Sequence, residues 1–276
     1  MKIAVIGGGS TYTPELIEGF ARRRDVMSGI ELVLHDIAAD RLAVVGGLAS
    51  RILAAHGFND RLATTTSLDE AVDAAAAVLV QLRVGGQQAR LIDETLPGRF
   101  GLLGQETTGP GGFAKALRTV PVVLNIAEVV AERAQSDVWI IDFTNPVGIV
   151  TRALLDQGYR ALGLCNVAIG FQRRLAARFD VAADQVQLDH VGLNHLSWIR
   201  QVRVDGVDRL PDLLDTPAAE ELAEEIGAPA DLLRTLGALP SYYLHYFYCT
   251  DRAIAEQTRC FKAVELKKAK PQRKRG

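Results

Sequence analysis

The apolar and polar positions open with two short β-branched runs and a helical stretch between them. Lys2-Ile-Ala-Val-Ile6 is apolar without alternation and breaks at Gly7-Gly8-Gly9-Ser10-Thr11-Tyr12-Thr13-Pro14-Glu15, after which Leu16, Ile17 and Phe20 recur at helical spacing. Glu31-Leu-Val-Leu-His35 is the second run, closed by Asp36. The pattern then predicts an amphipathic helix over 41–56, a strand over 61–66, a short helix over 69–75 and a buried strand over 77–82. Gly101 to Gly112 holds five glycines and one proline in twelve residues, which reads as a loop rather than a helix or central strand. A long helix over 115–134, kinked at Pro121, a strand over 138–142 and a strand over 160–164 follow. Strands alternating with helices in this way predict an α/β fold, a Rossmann-type doubly wound parallel sheet.

Past residue 165 the alternation stops. A helix running to Phe179 leads to a strand from Val186 to Gly192, which ends in Leu193-Asn194-His195. Trp198 to Val204, the turn Asp205-Gly206 and Val207 to Leu210 read as a hairpin. Pro211 to Gly237 is acidic and helical. Pro240 to Tyr248 is dense in aromatic residues, either a helix face packed in a core or a polar site rich in hydroxyls. The predicted organisation is a dinucleotide-binding domain over 1–165, an α+β substrate and metal domain over 166–260, and a tail over 261–276. The tail carries seven basic residues and one acid with no apolar period, so no fixed structure is expected there.

Composition narrows the classes. At 276 residues and 48% hydrophobic the chain can bury a sizeable core. A net charge of −2 gives no global field toward nucleic acid or a membrane surface, and no apolar stretch approaches ~20 residues. A chain that starts as a strand leaves no room for a signal peptide, and three scattered cysteines make no disulfide framework, so a reducing cytoplasm is expected.

The candidate chemistry sits at strand ends. In the first βαβ unit Gly7 allows a tight turn and Gly9 a close backbone approach to a pyrophosphate. The helix start (Ser10, Thr11, Tyr12) supplies N–H groups, and Asp36 can accept from ribose hydroxyls, which favours NAD. Tyr12 replaces the third glycine of the usual fingerprint, and Asp36 comes later than its usual place; a simple strand-to-helix turn is the competing reading. Arg83 and Arg90 follow the fourth strand on the expected ligand side, either as anion contacts or as solvated charges. Glu106 is the only carboxylate of the glycine-rich stretch. Asn145, before Pro146, suits a sugar hydroxyl or a nicotinamide ribose, or simply opens a helix. Cys165 and His195 suit a soft-to-borderline divalent metal, with an inert buried thiol and a structural imidazole as alternatives and His190 as a rival ligand.

Together these motifs carry a resemblance. Gly7 to Glu15, Gly104-Gln-Glu-Thr-Thr-Gly109, Thr144-Asn-Pro146, Gly163-Leu-Cys-Asn166 and Gly192-Leu-Asn-His195 stand in the order seen in glycoside hydrolase family 4, and Cys165-Asn166-Val167 resembles its 6-phospho-β-glucosidase branch. That family departs from two-carboxylate glycosidase chemistry. The resemblance implies an NAD-dependent elimination. NAD⁺ takes hydride from C3 of the sugar, a tyrosine removes the C2 proton, the aglycone leaves from C1, water adds, and NADH returns the hydride. It implies Cys165 and His195 as ligands of a divalent metal, Mn²⁺ by preference, and Tyr243 as the base, with Tyr242 as fallback and Asn166 in the same catalytic set. Asn145, Asn166 and Glu106 would meet sugar hydroxyls and Arg90 or Arg83 the 6-phosphate. The implied substrate is a phosphorylated disaccharide or β-glucoside 6-phosphate, and the implied assembly a homo-oligomer, dimer or tetramer, where the full fold forms.

Two departures stand out. Ala168 replaces the family's proline, and the likeness fades near Thr250, where family members continue; on that ground the α+β domain is expected to be incomplete. A truncated, non-catalytic remnant that binds NAD or sugar phosphate is therefore an alternative. A 2-hydroxyacid dehydrogenase of lactate/malate-dehydrogenase-like architecture is another, although Gly192-Leu-Asn-His195-Leu is not its Gly-x-His-Gly.

Overall fold

Runs of branched apolar residues become parallel strands because both of their faces are covered. The structure, a computed structural model, describes residues 1–23, 25–27, 29–58 and 61–269, with side chains through Arg259. It divides into two compact units, one of residues 1–94 and 105–164, the other of residues 95–104 and from Cys165 onward.

The first unit runs β1 (Lys2–Ile6), α1 (Thr13–Arg22), β2 (Glu31–His35), α2 (Ala39–Ala55), β3 (Arg61–Thr65), α3 (Leu68–Val72), β4 (Ala77–Val80), α4 (Gly86–Thr95), α5 (Gly109–Arg133), β5 (Trp139–Asp142), α6 (Val147–Asp156) and β6 (Ala161–Gly163). Its strands form one parallel sheet in the order β3-β2-β1-β4-β5-β6, the doubly wound dinucleotide-fold order. The two-residue strand period sorts the core. Ala4 and Ile6 pack with Val123, Ala127 and Val130 of α5 and Val150 and Leu154 of α6. Ile3 and Val5 turn to the other face, against Ile17 and Ala21 of α1 and Leu42, Ala49 and Leu53 of α2. In α1 the buried Thr13, Ile17 and Ala21 recur every fourth residue, and Pro14 in the first turn needs no N–H partner.

The second unit runs α7 (Val167–Phe179), β7 (Val186–Leu193), β8 (Leu196–Val204), β9 (Val207–Asp208), α8 (Leu210–Leu214), α9 (Ala218–Ile226), α10 (Ala230–Leu236), β10 (Leu239–Pro240), α11 (His245–Tyr248) and α12 (Thr250–Ala269). Its antiparallel sheet is ordered β10-β8-β7, with β9 on β8. Phe171, Leu175, Val186, Ile199, Leu222, Leu233 and Leu239 make its core. Each such buried side chain contributes about 1.5–3 kcal/mol against exposure.

The structure departs from expectation at three places. α5 begins at Gly109, so Gly109 to Gly112, read as loop, form its first turn. A Cβ on Gly111 would stand 2.3 Å from the Asp93 carbonyl oxygen and 2.5 Å from that of Gln105, and one on Gly112 2.6 Å from the Thr107 carbonyl carbon. These glycines admit close neighbours, and Pro110 sits where its missing N–H costs nothing. The strand expected to reach Leu210 stops at Asp208, whose Oδ1 accepts from Leu210 N and Val202 N and turns the chain into α8. The acidic stretch is helical as expected, in three helices, and Gly227 and Gly237 close α9 and α10 at φ +79° and +56°. The tail expected to lack structure from residue 261 is helical to Ala269 as part of α12, and residues 270–276 lie outside the described ones.

Candidate functional site

In the first unit the glycine turn is held from three sides. Gly7 has φ +91°, and a Cβ there would stand 2.4 Å from the Gln81 carbonyl oxygen. Gly7 N and Gly8 N both donate to His35 O, at 2.9 and 2.7 Å. The Gln81 amide donates to Gly7 O and to Thr13 Oγ1 at 2.8 Å, tying the turn to the start of α1. Gly9 N donates to Asp36 Oδ2 at 2.9 Å, Ala38 N donates to Asp36 Oδ1 at 3.0 Å, and Arg41 donates to Gly9 O. A Cβ on Gly9 would fall 2.8 Å from Asp36 Oδ2, so Gly9 is needed by the acid as well as by any ligand. Ser10 Oγ accepts from Tyr12 N, Thr11 stands exposed in the turn, and the Tyr12 ring meets Phe143 edge-on at 6.0 Å. A Cβ-free turn, a helix N-terminus and an acid at the end of β2 fit a dinucleotide pyrophosphate and ribose.

Beyond β4, one carboxylate collects three cations. Glu106 Oε2 accepts from Arg83 and from Lys115 Nζ, each at 2.6 Å, and Glu106 Oε1 lies 3.3 Å from Arg90. Arg90 also pairs with Glu94 at 2.8 Å. Burial pushes the Glu106 carboxyl up, but Lys115 and Arg83 outweigh it and hold it below its ordinary value. The structure thus brings Arg83, Arg90 and Glu106 together and adds Lys115, which the sequence had shown only as the start of a helix. The arginines are engaged with carboxylates rather than standing as isolated phosphate contacts.

At the end of β5, Thr144 N donates to Asp142 Oδ1 at 2.9 Å, and Thr144 Oγ1 accepts from Leu82 N at 2.9 Å. That clamp fixes half-buried Asn145, which joins Pro146 through a cis peptide bond ahead of α6. Pro146 is the residue before the helix rather than its first.

In the second unit Cys165 directly precedes Asn166, the exposed residue that opens α7, and His195 lies in the β7–β8 turn. His195 has φ +62°, a left-handed conformation uncommon outside glycine. Gly192, at φ +118°, lets β8 fold back: a Cβ there would stand 2.1 Å from the Leu196 carbonyl oxygen. The hairpin delivers His195 Nε2 to 3.4 Å from Cys165 Sγ. Tyr243, in the 3₁₀ turn Tyr242–Leu244, stacks on the imidazole at 3.6 Å between centroids and 11° between planes. Cys165, His190, Asn194, His195, Ser197 and Ser241 line a cavity of about 200 Å³. Burial lowers the His195 pKa to about 4, which keeps the imidazole neutral with a lone pair to give. Burial also lowers that of His190, and burial together with the charge of Cys165 raises that of Tyr242.

A thiol and a neutral imidazole at this separation are donors suited to a borderline divalent metal. Among the described residues no group of three or more His, Cys, Asp or Glu is arranged as a metal cage. Of the described residues, Cys165 and His195 are thus the two that would serve as metal ligands.

Comparison with known proteins agrees with both units. The family model described as "Family 4 glycosyl hydrolase" matches residues 2–181, and that of the "Family 4 glycosyl hydrolase C-terminal domain" matches residues 190–275. A "Probable 6-phospho-beta-glucosidase" of Bacillus subtilis (strain 168) is 38% identical over 267 residues, covering 93% of this chain and 60% of that protein. A "6-phospho-beta-glucosidase" of Escherichia coli (strain K12) is 38% identical over 262 residues, covering 90% and 58%. The crystal structure of the 6-phospho-beta glucosidase from Thermotoga maritima with manganese, NAD⁺ and glucose-6-phosphate superposes with a TM-score of 0.85 at 32% identity, covering 97% of this chain and 66% of that one. The chain spans about three fifths of the length of the curated relatives it matches.

Proposed function

Because the chain belongs to the family 4 glycosyl hydrolases, we propose that it carries the site of an NAD⁺- and divalent-metal-dependent 6-phospho-β-glucosidase, cleaving its substrate by elimination. The observation that carries this reading is the donor pair Cys165 Sγ and His195 Nε2, 3.4 Å apart, with the Tyr243 ring stacked on the imidazole.

The roles divide by unit. In the first, the Gly7–Gly9 turn with Ser10, Thr11 and Tyr12 holds the pyrophosphate, Asp36 the ribose, and Arg83 lines the cofactor side. Glu106 accepts from sugar hydroxyls, Asn145 accepts from or donates to them, and Arg90 meets the 6-phosphate. In the second, Cys165 and His195 hold the metal, Mn²⁺ by preference, Asn166 contacts the sugar, and Tyr243 takes the proton from C2. Bound NAD⁺ supplies a hydride acceptor for C3, and a bound divalent metal supplies Lewis-acid polarisation of sugar oxygens. A phenol with a pKa near 10 is a weak base at neutral pH, so Tyr243 needs a cation beside it; stacking on a metal ligand supports that role. The same reading includes a homo-oligomer in the cytoplasm. Among the described residues no helix is long and apolar enough to cross a membrane.

Nitrophenol release from p-nitrophenyl β-glucoside 6-phosphate tests the reading, run with NAD⁺, Mn²⁺ and reductant and then with each omitted. Turnover that requires both NAD⁺ and metal is expected. NAD⁺ binding without turnover would replace the enzyme by a non-catalytic binding protein.

A further inference from the structure

Glu106 is the most heavily engaged carboxylate among the described residues. Its Oε2 receives Lys115 Nζ and Arg83 Nη1, both at 2.6 Å, which fills the two lone-pair positions of that oxygen. Its Oε1 has one longer contact, Arg90 Nη1 at 3.3 Å, and Arg90 spends its shorter bond on Glu94. Lys115 differs from both arginines. It is 2% exposed, whereas Arg83 and Arg90 reach solvent, and Glu106 is the acid it pairs with. An ammonium so deeply buried is costly unless a carboxylate answers it, so its place two turns into α5 calls for a reason.

We propose that Lys115 is a positioning residue that makes Glu106 a one-oxygen acceptor for sugar hydroxyls: Lys115 and Arg83 consume Oε2 and fix the carboxylate plane, and Oε1 is presented to the ligand. This rests on the sugar-binding role assigned to Glu106 above. Lys115 touches no ligand in this scheme. It acts through Glu106, which the half-buried Arg83 alone would hold less firmly, since its long side chain keeps more rotamer freedom. The arrangement also sets an order of importance: loss of Lys115 frees the carboxylate to rotate toward Arg83 and Arg90, while loss of Arg90 leaves Oε2 pinned.

The test uses the full chain, saturated with NAD⁺ and Mn²⁺, and calorimetric titration with glucose 6-phosphate. Lys115→Met is expected to weaken glucose 6-phosphate binding about tenfold and to leave NAD⁺ affinity within about twofold. In a Glu106→Gln background, Lys115→Met is expected to add nothing, because the residue acts only through Glu106. An equal loss in both backgrounds would make Lys115 merely structural and overturn the proposal. So would a Lys115→Met chain that binds normally while Glu106→Gln binds weakly; that outcome leaves the sugar-binding role of Glu106 standing. Normal binding by Glu106→Gln removes that role and the proposal with it. Should Lys115→Met not fold, carbon-13 NMR of glutamate-labelled parent chain decides. A Glu106 carboxyl resonance, assigned by its absence in Glu106→Gln, that titrates below the ordinary carboxylate range and shifts with glucose 6-phosphate supports the proposal. An ordinary titration overturns it.

Discussion

The ring of Tyr243 lies flat on the imidazole of His195, 3.6 Å away, while the same imidazole reaches Cys165 Sγ at 3.4 Å. In the proposed mechanism one aromatic residue would thus touch a metal ligand through its ring and offer its hydroxyl for proton transfer. The two contributions separate by substitution. Tyr243→Phe keeps the stacked face, so Mn²⁺ affinity, read by electron paramagnetic resonance, stays within about twofold. Turnover and exchange of the C2 hydrogen with D₂O fall by about 10²–10⁴, the usual weight of a positioned acid or base. Tyr243→Ala removes the support as well, and Mn²⁺ affinity drops about tenfold or more. Unchanged C2 exchange in Tyr243→Phe would remove this residue as the base.

Cys165→Ser replaces a soft donor by a hard, protonated one without changing size much. Metal-dependent turnover is expected to fall at least about a hundredfold, with excess Mn²⁺ recovering part of it. NAD⁺ binding, followed by quenching of tryptophan fluorescence, stays within about twofold, because the glycine turn is closed by Gln81, His35 and Asp36 within its own unit. A parallel loss of NAD⁺ binding would show that the two functions are not separable.

Much of this was legible in the sequence, for identifiable reasons. Strands buried on both faces read as continuous apolar runs, which is why Ile3 to Ile6 and Leu32 to Leu34 announce themselves. Gly9 and Asp36 lie within a single βαβ unit, so their pairing is a local matter. Non-local packing was illegible. Gly111 and Gly112 look like loop residues until the backbones of Asp93, Gln105 and Thr107 press against them. Lys115 looks like a solvated helix residue until Glu106 is folded onto it. The left-handed backbone of His195 and the Tyr243 stack depend on a hairpin meeting a distant aromatic turn, and no spacing rule encodes that.

Gly9 and Asp36 make a coupled pair. A methyl at position 9 would stand 2.8 Å from Asp36 Oδ2 and 3.0 Å from its Cγ, so the carboxylate must swing away and release Gly9 N. Gly9→Ala is expected to cost about 1–3 kcal/mol in thermal or denaturant unfolding and about tenfold in NAD⁺ affinity. Asp36→Ala removes the obstacle. The double variant should therefore be more stable than the sum of the two single changes predicts. Strict additivity would show that the clash relaxes elsewhere.

Asp142 gives the fold a pH dependence of unusual sign for a carboxylate. It is wholly buried, and burial raises its pKa from 3.8 to about 7 despite the hydrogen bond from Thr144 N. Between those values the folded chain keeps a proton that the unfolded chain has released. Stability therefore falls as pH rises from about 4 to 7, and above 7 the full penalty of a buried charge applies, about 4 kcal/mol on the usual conversion. Asp142→Asn keeps an acceptor for Thr144 N and cannot ionise. Its advantage over the parent chain should be small at pH 4.5, grow through pH 6 and level off near pH 8, with the clamp on Leu82 and Thr144 intact at every pH. Paired thermal melts across that range measure this directly. A variant curve that runs parallel to the parent's would mean that Asp142 titrates as an ordinary carboxylate, and that water or a cation reaches it inside the sheet.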